Sequence, residues 1–187
     1  MDYSKIQADP VRGPEIGRMY LDASPFITTL ARQAYRSFVG QVDQQFAQMT
    51  MDDGITVIPQ SEDPYRSHSE MIEEVNRYHR LRIHATSGDQ LHPLLSPEQN
   101  DRFRAVHDYY GHHGGWSATQ SVPFDRHGEE AAWVRHSQMF TGLGRRAMTT
   151  ETRGQSSALC WITSPDFPPE KAVLLPDWVS EIPAQYR

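Results

Sequence analysis

The stretch that decides the fold is residues 96–113, which read SPEQNDRFRAVHDYYGHH. Its first residues are a strong helix start, because Ser96 can cap the first free amides, Pro97 suits the first turn and Gln99 can cap in return. Glycines at and after position 111 close the helix. The pattern therefore predicts a helix that runs to about residue 112 and has last turns rich in histidine.

Side chains that bind metals or move protons are concentrated in those last turns. Asp108 and His112 are four residues apart, so they share one face of an α-helix. At that spacing the pair can bind one metal ion, or Asp108 can orient His112 as an acid–base. We therefore expect them to share a centre, with His107 at its edge and His113 pointing elsewhere. The alternative is a helix end whose histidines only interact with the helix dipole, a role that would not explain Asp108.

A second cluster lies in residues 128–136, GEEAAWVRH, which predict the start of another helix. Glu129, Trp133 and His136 fall on one helical face, so an acid and a histidine lie beside a large aromatic ring. Glu130 points about 100° away on a helix and is expected in solvent. The alternative for both glutamates is that they complement the positive end of the helix dipole.

A third cluster, TTETRGQ at residues 149–155, is polar although apolar segments flank it. Glu151 is a candidate for a further ligand. Arg153 and Gln155 can hold a phosphate, a carboxylate or a base edge of a substrate. The alternative is the end of a helix with an ordinary Glu–Arg pair at the surface.

Together these clusters give a set of candidate residues with three roles. The expected metal ligands are His107, Asp108, His112, Glu129 and His136. The expected catalytic residues are His107, Asp108 and Glu151. The expected substrate-binding residues are Tyr110, Trp133, Arg153 and Gln155. The cofactor expected is one divalent ion of Mn, Fe, Zn or Mg, because the ligands offer nitrogen and oxygen but no sulfur.

The rest of the chain predicts a mainly α fold, a compact helical domain with a minor two-stranded β element. A Ser-Pro start predicts a helix over residues 24–51. Residues 55–58 and 81–86 read as short strands on either side of a helix at about residues 67–79, so the strands can pair in parallel. A further helix is expected over residues 145–152, with Gly154 ending it.

The length suits a single domain over residues 1–187 with one core. Residues 1–23 read as a loosely structured N-terminal arm and residues 24–160 as the helical body. Residues 161–187 are rich in proline and read as a C-terminal tail that wraps the body.

Composition narrows the classes of function. The chain has 187 residues and a net charge of −6, which argues against binding along a nucleic-acid backbone and leaves room for a small-molecule substrate. Cys160 is its one cysteine, which fits a reducing compartment. The sequence shows neither a signal-peptide pattern nor an apolar run long enough for a membrane span. We expect a cytoplasmic protein, and Trp116 and Tyr109, read as exposed, suggest a partner or a homo-oligomer.

With these clusters in view, the sequence resembles a family of phage-borne and bacterial proteins, some of them domains of large phage polyproteins. The matching motifs are HPLL, FRAVHDYYGH, GEEAAW followed by H and MF, TETRGQ and EKAVLLPDW, which lie between residues 92 and 178. The resemblance implies that the clusters form one site and that the setting is a phage or prophage, with host cytoplasm as the location. It names no reaction. The chain departs from the pattern at Ser156, where asparagine is expected.

A weaker likeness is to the HD-type phosphohydrolases. The pair His107-Asp108, followed by Gly111-His112, resembles the HD…GH core of those enzymes. Those enzymes also use an earlier histidine and a later aspartate. In this chain His79 or His84 would serve upstream, and Asp166 or Asp177 downstream, within the proline-rich tail.

The sequence-based hypothesis is a metal-dependent hydrolase that acts on a nucleotide or another phosphorylated small molecule. One alternative is a non-haem iron oxidoreductase, because two histidines and a carboxylate form the facial-triad ligand set. Another is a non-catalytic accessory or structural domain whose polar clusters are a buried hydrogen-bond network.

Overall fold

In a computed structural model, which describes residues 1–88, 91–116 and 119–186, the chain is mainly α-helical, as predicted. The α-helices are α1 (Arg12–Asp22), α2 (Thr29–Ala47), α3 (His68–Tyr78), α4 (Pro97–Val106), α5 (Arg126–His136), α6 (Gly142–Thr149) and α7 (Gln155–Ala158). Segments of π-helix, in which each amide bonds to the carbonyl five residues back, are Gln48–Asp52, His107–His113, Thr150–Gly154 and Leu159–Thr163. Short 3-10 turns are Tyr3–Lys5, Ser137–Met139, Asp177–Ser180 and Ala184–Tyr186.

The minor β element is a parallel pair of strands, which confirms the prediction. Strand β1 (Thr56–Gln60) pairs with β2 (Arg80–His84), so that Thr56 lies opposite Arg80. Helix α3 connects them, and the side chain of Ser67 caps its first turn by accepting from the amide of Glu70. Parallel strands run in the same direction, so the chain must return to the starting end of the sheet before the second strand begins. A tight turn is too short for that return, and a crossover helix provides it.

Helix α4 begins as the sequence predicts. The Ser96 hydroxyl accepts from the Gln99 amide, and the Gln99 side chain accepts from the Ser96 amide in return. After Val106 the helix continues without a break, but its hydrogen bonding changes to the π pattern over His107–His113. This change alters which side chains share a face, and it decides the geometry of the site.

The polar third cluster lies inside a helix, not at the end of one. Helix α6, the π segment Thr150–Gly154, helix α7 and the π segment Leu159–Thr163 follow one another without interruption over residues 142–163. The prediction that Gly154 ends the helix is therefore wrong. Gly154 lies against the side chains of Tyr20 and Leu175, so its small size serves packing.

The N-terminal region also differs from its prediction. Residues 12–22 form helix α1, where a loose arm was expected. Ile16 and Tyr20 of this helix are buried in a small second core with Ala158, Leu175 and Val179. Helix α2 begins at Thr29 and not near residue 24, because Thr28 is the residue whose side chain caps it.

The main core lies where α2 packs against α4 and α6. Trp133, Phe38 and Tyr109 are fully buried there, so Tyr109 is not the exposed partner residue that was expected. Trp116 is exposed, as expected. Within the described part of the chain, no helix combines the length and the apolar character that crossing a membrane requires.

Two glycine positions test this packing. A Cβ at Gly128, in the first turn of α5, would lie 1.8 Å from the carbonyl oxygen of Pro123, so Gly128→Ala must displace backbone. We expect it to lower the free energy of unfolding by about 1–3 kcal/mol, measured by urea denaturation. Gly40→Ala, in α2, meets no atom within 4 Å and should raise that free energy by about 0.5–1 kcal/mol. Equal stability of the two variants would contradict the packing described for α5.

Candidate metal centre

Three candidate ligands converge at the junction of the π turn and helix α5. One ligand atom from each of His107, His112 and Glu129 lies within 4.8 Å of the other two. His107 and His112 are five residues apart, a separation that would direct them to different faces of an α-helix with 3.6 residues per turn. The π pattern places residues five apart one above the other, and the two ring centroids are 5.2 Å apart.

Gly111 makes room for this arrangement. A Cβ at position 111 would lie 3.1 Å from His107 Nδ1 and 3.3 Å from the Ala132 methyl group. The carbonyl of Gly111 accepts a hydrogen bond of 2.9 Å from Arg135, a residue of α5. The π turn is thus held open for the imidazole and tied to the helix that carries Glu129.

The ring of His112 is oriented by the backbone. Its Nδ1 lies 3.1 Å from the carbonyl oxygen of Val122, which can only accept, so Nδ1 carries the proton. Its Nε2 lies 3.4 Å from Glu129 Oε1, and that carboxylate raises the pKa of His112; when the ring is neutral, its lone pair is on Nε2. A histidine that donates from one nitrogen and offers the other is the usual arrangement of a metal ligand.

His107 is oriented by a relay through His136. Burial lowers the pKa of His136 to about 3, so its ring is neutral and carries one proton. His136 Nε2 donates to Gln45 Oε1 at 2.7 Å, which leaves its Nδ1 to accept from His107 Nδ1 at 3.2 Å. The lone pair of His107 is therefore on Nε2. His136 positions a ligand and is not itself one of the convergent group.

Glu129 completes the group as a charged carboxylate. Burial would raise its pKa, but the neighbouring His112, together with His107 and a hydrogen bond from Ser156, lowers the pKa of Glu129 to about 2. A protonated His112 is what lowers that pKa, so a metal ion would displace the His112 proton and could then bind two imidazole nitrogens and one carboxylate, a set that suits divalent transition metals.

The centre opens on a cavity of about 280 Å³. Its walls include His107, Asp108, Glu129 and the side chains of Gln155 and Glu170. Burial raises the pKa of the Asp108 carboxyl to about 7, which is in the range that suits proton transfer at neutral pH. Asp108 lines the cavity but is not among the convergent ligand atoms, so the group contains His107 and Glu129 beside His112 where Asp108 was expected.

A second group of three side chains consists of His92, Glu151 and Glu170, and its two glutamates line the same cavity. Atoms of His92, Glu151 and Glu170 lie within 4.8 Å of one another, and all three side chains are buried. Tyr35 donates a hydrogen bond to Glu151, and Gln155 donates one of 3.0 Å to Glu170. Glu151 therefore belongs to a separate group and does not join the centre formed by the two histidines and Glu129.

The two groups differ in the protonation of their histidines. His92 Nδ1 accepts hydrogen bonds from the amides of Leu94 and Leu95, at 3.1 and 3.0 Å. The proton of a neutral ring is then on Nε2, which faces Glu151 Oε1 at 3.3 Å. His92 thus presents an N–H to its group, where His107 and His112 present lone pairs to theirs.

Arg153 lies in a buried ion pair and not in the cavity. Its guanidinium group donates to both oxygens of Glu130, with Nε 2.9 Å from Oε2, and to the carbonyl of Val179 at 2.8 Å. The same group lies over the Trp133 ring, 3.9 Å from its centroid. Two predictions are corrected: Glu130 is buried and not in solvent, and Arg153 is structural and not a substrate ligand.

The other predicted substrate ligands divide in the same way. Trp133 is fully buried, and its Nε1 donates to Thr149 at 3.1 Å. Tyr110 is buried and its hydroxyl faces the carbonyl of Gln45 at 3.4 Å. Neither lines the cavity, whereas Gln155 does. His113, as expected, points elsewhere and bonds to Asn76 at 3.0 Å.

Sequence reasoning missed His92 and Glu170 as site residues, although each begins a segment, HPLL or EKAVLLPDW, on which the resemblance to phage-borne proteins rests. They carry no local helical spacing that would have linked them to Glu151. None of the four residues that an HD-type site would add, His79, His84, Asp166 or Asp177, belongs to either convergent group among the described residues.

Comparison of the chain with protein-family models, with curated proteins and with solved structures finds no match. The geometry of the site is therefore the basis for a functional proposal.

The structural role of Arg153 can be tested through its partner. Glu130→Ala leaves a buried guanidinium group without its counter-charge and should lower the free energy of unfolding by about 3–5 kcal/mol in urea denaturation. Glu73→Ala removes the exposed partner of Arg77 and should cost about 0–1 kcal/mol at most. A loss of similar size for both variants would contradict the structural role.

Proposed function

We propose that the protein is a metal-dependent enzyme that binds a divalent ion through His107, His112 and Glu129. The observation that carries the proposal is the orientation of the two imidazoles. His112 has Nδ1 engaged by the Val122 carbonyl and Nε2 directed at Glu129 Oε1, and His107 has Nδ1 engaged by His136, so that Nε2 is its remaining ligand atom. Two imidazoles that are each fixed through Nδ1 and grouped with a carboxylate are the arrangement in which histidines are oriented as metal ligands.

Hydrolysis is the reaction class that this arrangement supports best. Two histidines and a glutamate form a ligand set of catalytic zinc sites, in which one coordination position stays open. A divalent ion in such a site activates water and polarises a substrate oxygen. Asp108 faces the same cavity with a pKa near 7 and can take or give a proton there.

The proposed substrate is a small molecule that fits the cavity. The wall carries several carboxylates against the single guanidinium group of Arg104. An anionic substrate such as a phosphorylated metabolite therefore needs bound metal ions to offset that charge. The resemblance to phage-borne proteins supports a phage or prophage setting in the host cytoplasm.

A second candidate function is oxidation by non-haem iron. The same ligand set of two histidines and one carboxylate holds Fe(II) in oxygenases. π-Helical turns at functional sites also occur in α-helical proteins of many classes. Protein purified from iron-supplied cells would then contain iron and show a visible absorption band, whereas a hydrolytic zinc or manganese centre would show none.

The proposal predicts the metal content of protein purified without a histidine tag. Elemental analysis should find close to one ion per chain at this centre, and His112→Asn should lose it. Asparagine can still donate to the Val122 carbonyl, so this variant removes the ligand while keeping the local hydrogen bond. His113→Asn is the matched control, because that neighbouring histidine bonds to Asn76 and lies outside the centre.

Thermal stability gives a second measurement on the same variants. A ligand that binds only the folded state adds about 2.7 kcal/mol when its free concentration is a hundredfold above Kd. Added Zn²⁺ or Mn²⁺ should therefore raise the Tm of stripped wild-type protein and of stripped His113→Asn. The rise in Tm should be smaller for His112→Asn. Metal-free wild-type protein whose Tm does not respond to either ion would refute the proposal and favour a structural domain.

A further inference from the structure

The second group of buried side chains has an excess of negative charge. Glu151 and Glu170 both line the cavity, and their side chains are only 3% and 7% exposed. An oxygen of each lies within 4.8 Å of an oxygen of the other. The nearest guanidinium nitrogen, on Arg104, is 3.9 Å from Glu170. Burial and the neighbouring Glu151 raise the pKa of Glu170 to about 7, so the pair carries its full negative charge at neutral pH only when a further cation lies between the two carboxylates.

Neutral donors hold both carboxylates in place without removing that charge. The Tyr35 hydroxyl donates to Glu151, and Gln155 Nε2 donates to Glu170 Oε2. Hydrogen bonds of this kind orient carboxylate ligands in metal sites. The separation of the two oxygens also fits an ion that contacts each at about 2.0–2.4 Å.

An unpartnered donor points to a ligand in the same place. The His92 side chain is fully buried, and its Nε2 makes no hydrogen bond of acceptable geometry although it faces Glu151 at 3.3 Å. Leu94 and Leu95 occupy the other ring nitrogen, so the free group is an N–H. A buried N–H that meets its one nearby carboxylate only at poor hydrogen-bond geometry is costly, and a better placed oxygen atom of a bound species would satisfy it.

We propose that Glu151 and Glu170 bind a second divalent cation of the oxygen-preferring kind, Mg²⁺ or Mn²⁺. Such ions are commonly held by one or two carboxylates, with water or substrate oxygens completing the coordination. His92 is not a ligand in this site, because its Nε2 carries a proton; it donates to an oxygen of the ion's remaining coordination sphere. The site can fill whether or not the histidine centre is occupied.

The two sites face one cavity, which gives the second ion a function. If the proposed function holds, an ion at Glu151 and Glu170 supplies the positive charge that an anionic substrate needs at that wall. Ions that bind substrate phosphate through one or two protein carboxylates are a recurrent arrangement in phosphate chemistry. The proposal therefore favours a phosphorylated substrate over a neutral one.

Mn²⁺ binding can test the second site directly. Untagged protein stripped with chelator is titrated with MnCl₂, and free Mn²⁺ is measured by its electron paramagnetic resonance signal. Wild-type protein should bind two ions per chain. Glu151→Gln and Glu170→Gln should each weaken one of these by about tenfold or more, and His112→Asn should remove the other. Glu98→Gln, an exposed residue of α4, is the control that should bind two.

His92→Asn separates the proposed role of His92 from that of a ligand. The asparagine oxygen can accept from the amides of Leu94 and Leu95 as His92 Nδ1 does, so the local turn is kept while Nε2 is removed. We expect this variant to bind two Mn²⁺ ions. Loss of an ion in His92→Asn but not in the two glutamine variants would overturn the assignment of the carboxylates as ligands.

The outcomes distinguish this inference from the proposed function. One ion that is lost in His112→Asn and kept in Glu151→Gln and Glu170→Gln would overturn the second site and leave the histidine centre. One ion with the reverse pattern would support the second site and refute the first. Binding of none would refute both. Circular dichroism of each variant identifies any that fails to fold, and the two glutamine variants then substitute for each other.

Discussion

The site depends on one change in backbone hydrogen bonding, from the α to the π pattern after Val106. In an α-helix His107 and His112 would face different directions, and Asp108 would lie above His112. The π turn instead brings the two imidazoles together edge to face, with ring centroids 5.2 Å apart, and Asp108 lines the cavity. Arg135 stabilises the turn from outside by donating to the Gly111 carbonyl. This change in hydrogen bonding thereby groups the candidate metal ligands apart from the candidate acid–base.

Much of the fold was predictable because its signals are local. The capping residues of α4 and the strands on either side of α3 were read correctly from neighbouring residues. The π turn was not, because its cause is tertiary: a glycine opposite an imidazole and an arginine from another helix. For the same reason the sequence predicted which residues lie near the site better than it predicted which of them converge on one centre. His107, His112 and Glu129 were expected, but Asp108 and His136 were expected beside them as ligands.

The faces of α5 show a further limit of local patterns. Helical spacing separates Glu129 from Glu130, and it suggested that Glu130 would be the exposed one. In the structure Glu130 is the more buried of the two, because Arg153 reaches it from a helix 23 positions later and covers Trp133 at the same time. Helical spacing indicates that two adjacent residues point in different directions. Which of the two is buried depends on the side chain that packs against it, here Arg153 against Glu130. Glu129 is left for the cavity.

The distribution of charged side chains around the cavity limits which ligands the cavity can bind. Among the described residues Arg104 is the arginine that lines it, whereas Arg153 pairs with Glu130 and Arg135 donates to the carbonyls of Gly111 and Gln120. Carboxylates therefore outnumber cationic side chains on the cavity wall. Since buried carboxylates are costly without counter-charge, and the protein supplies little of it, bound cations are the natural complement of this wall. Binding of metal ions would then precede binding of any anionic substrate, because the ions create the charge that the substrate requires.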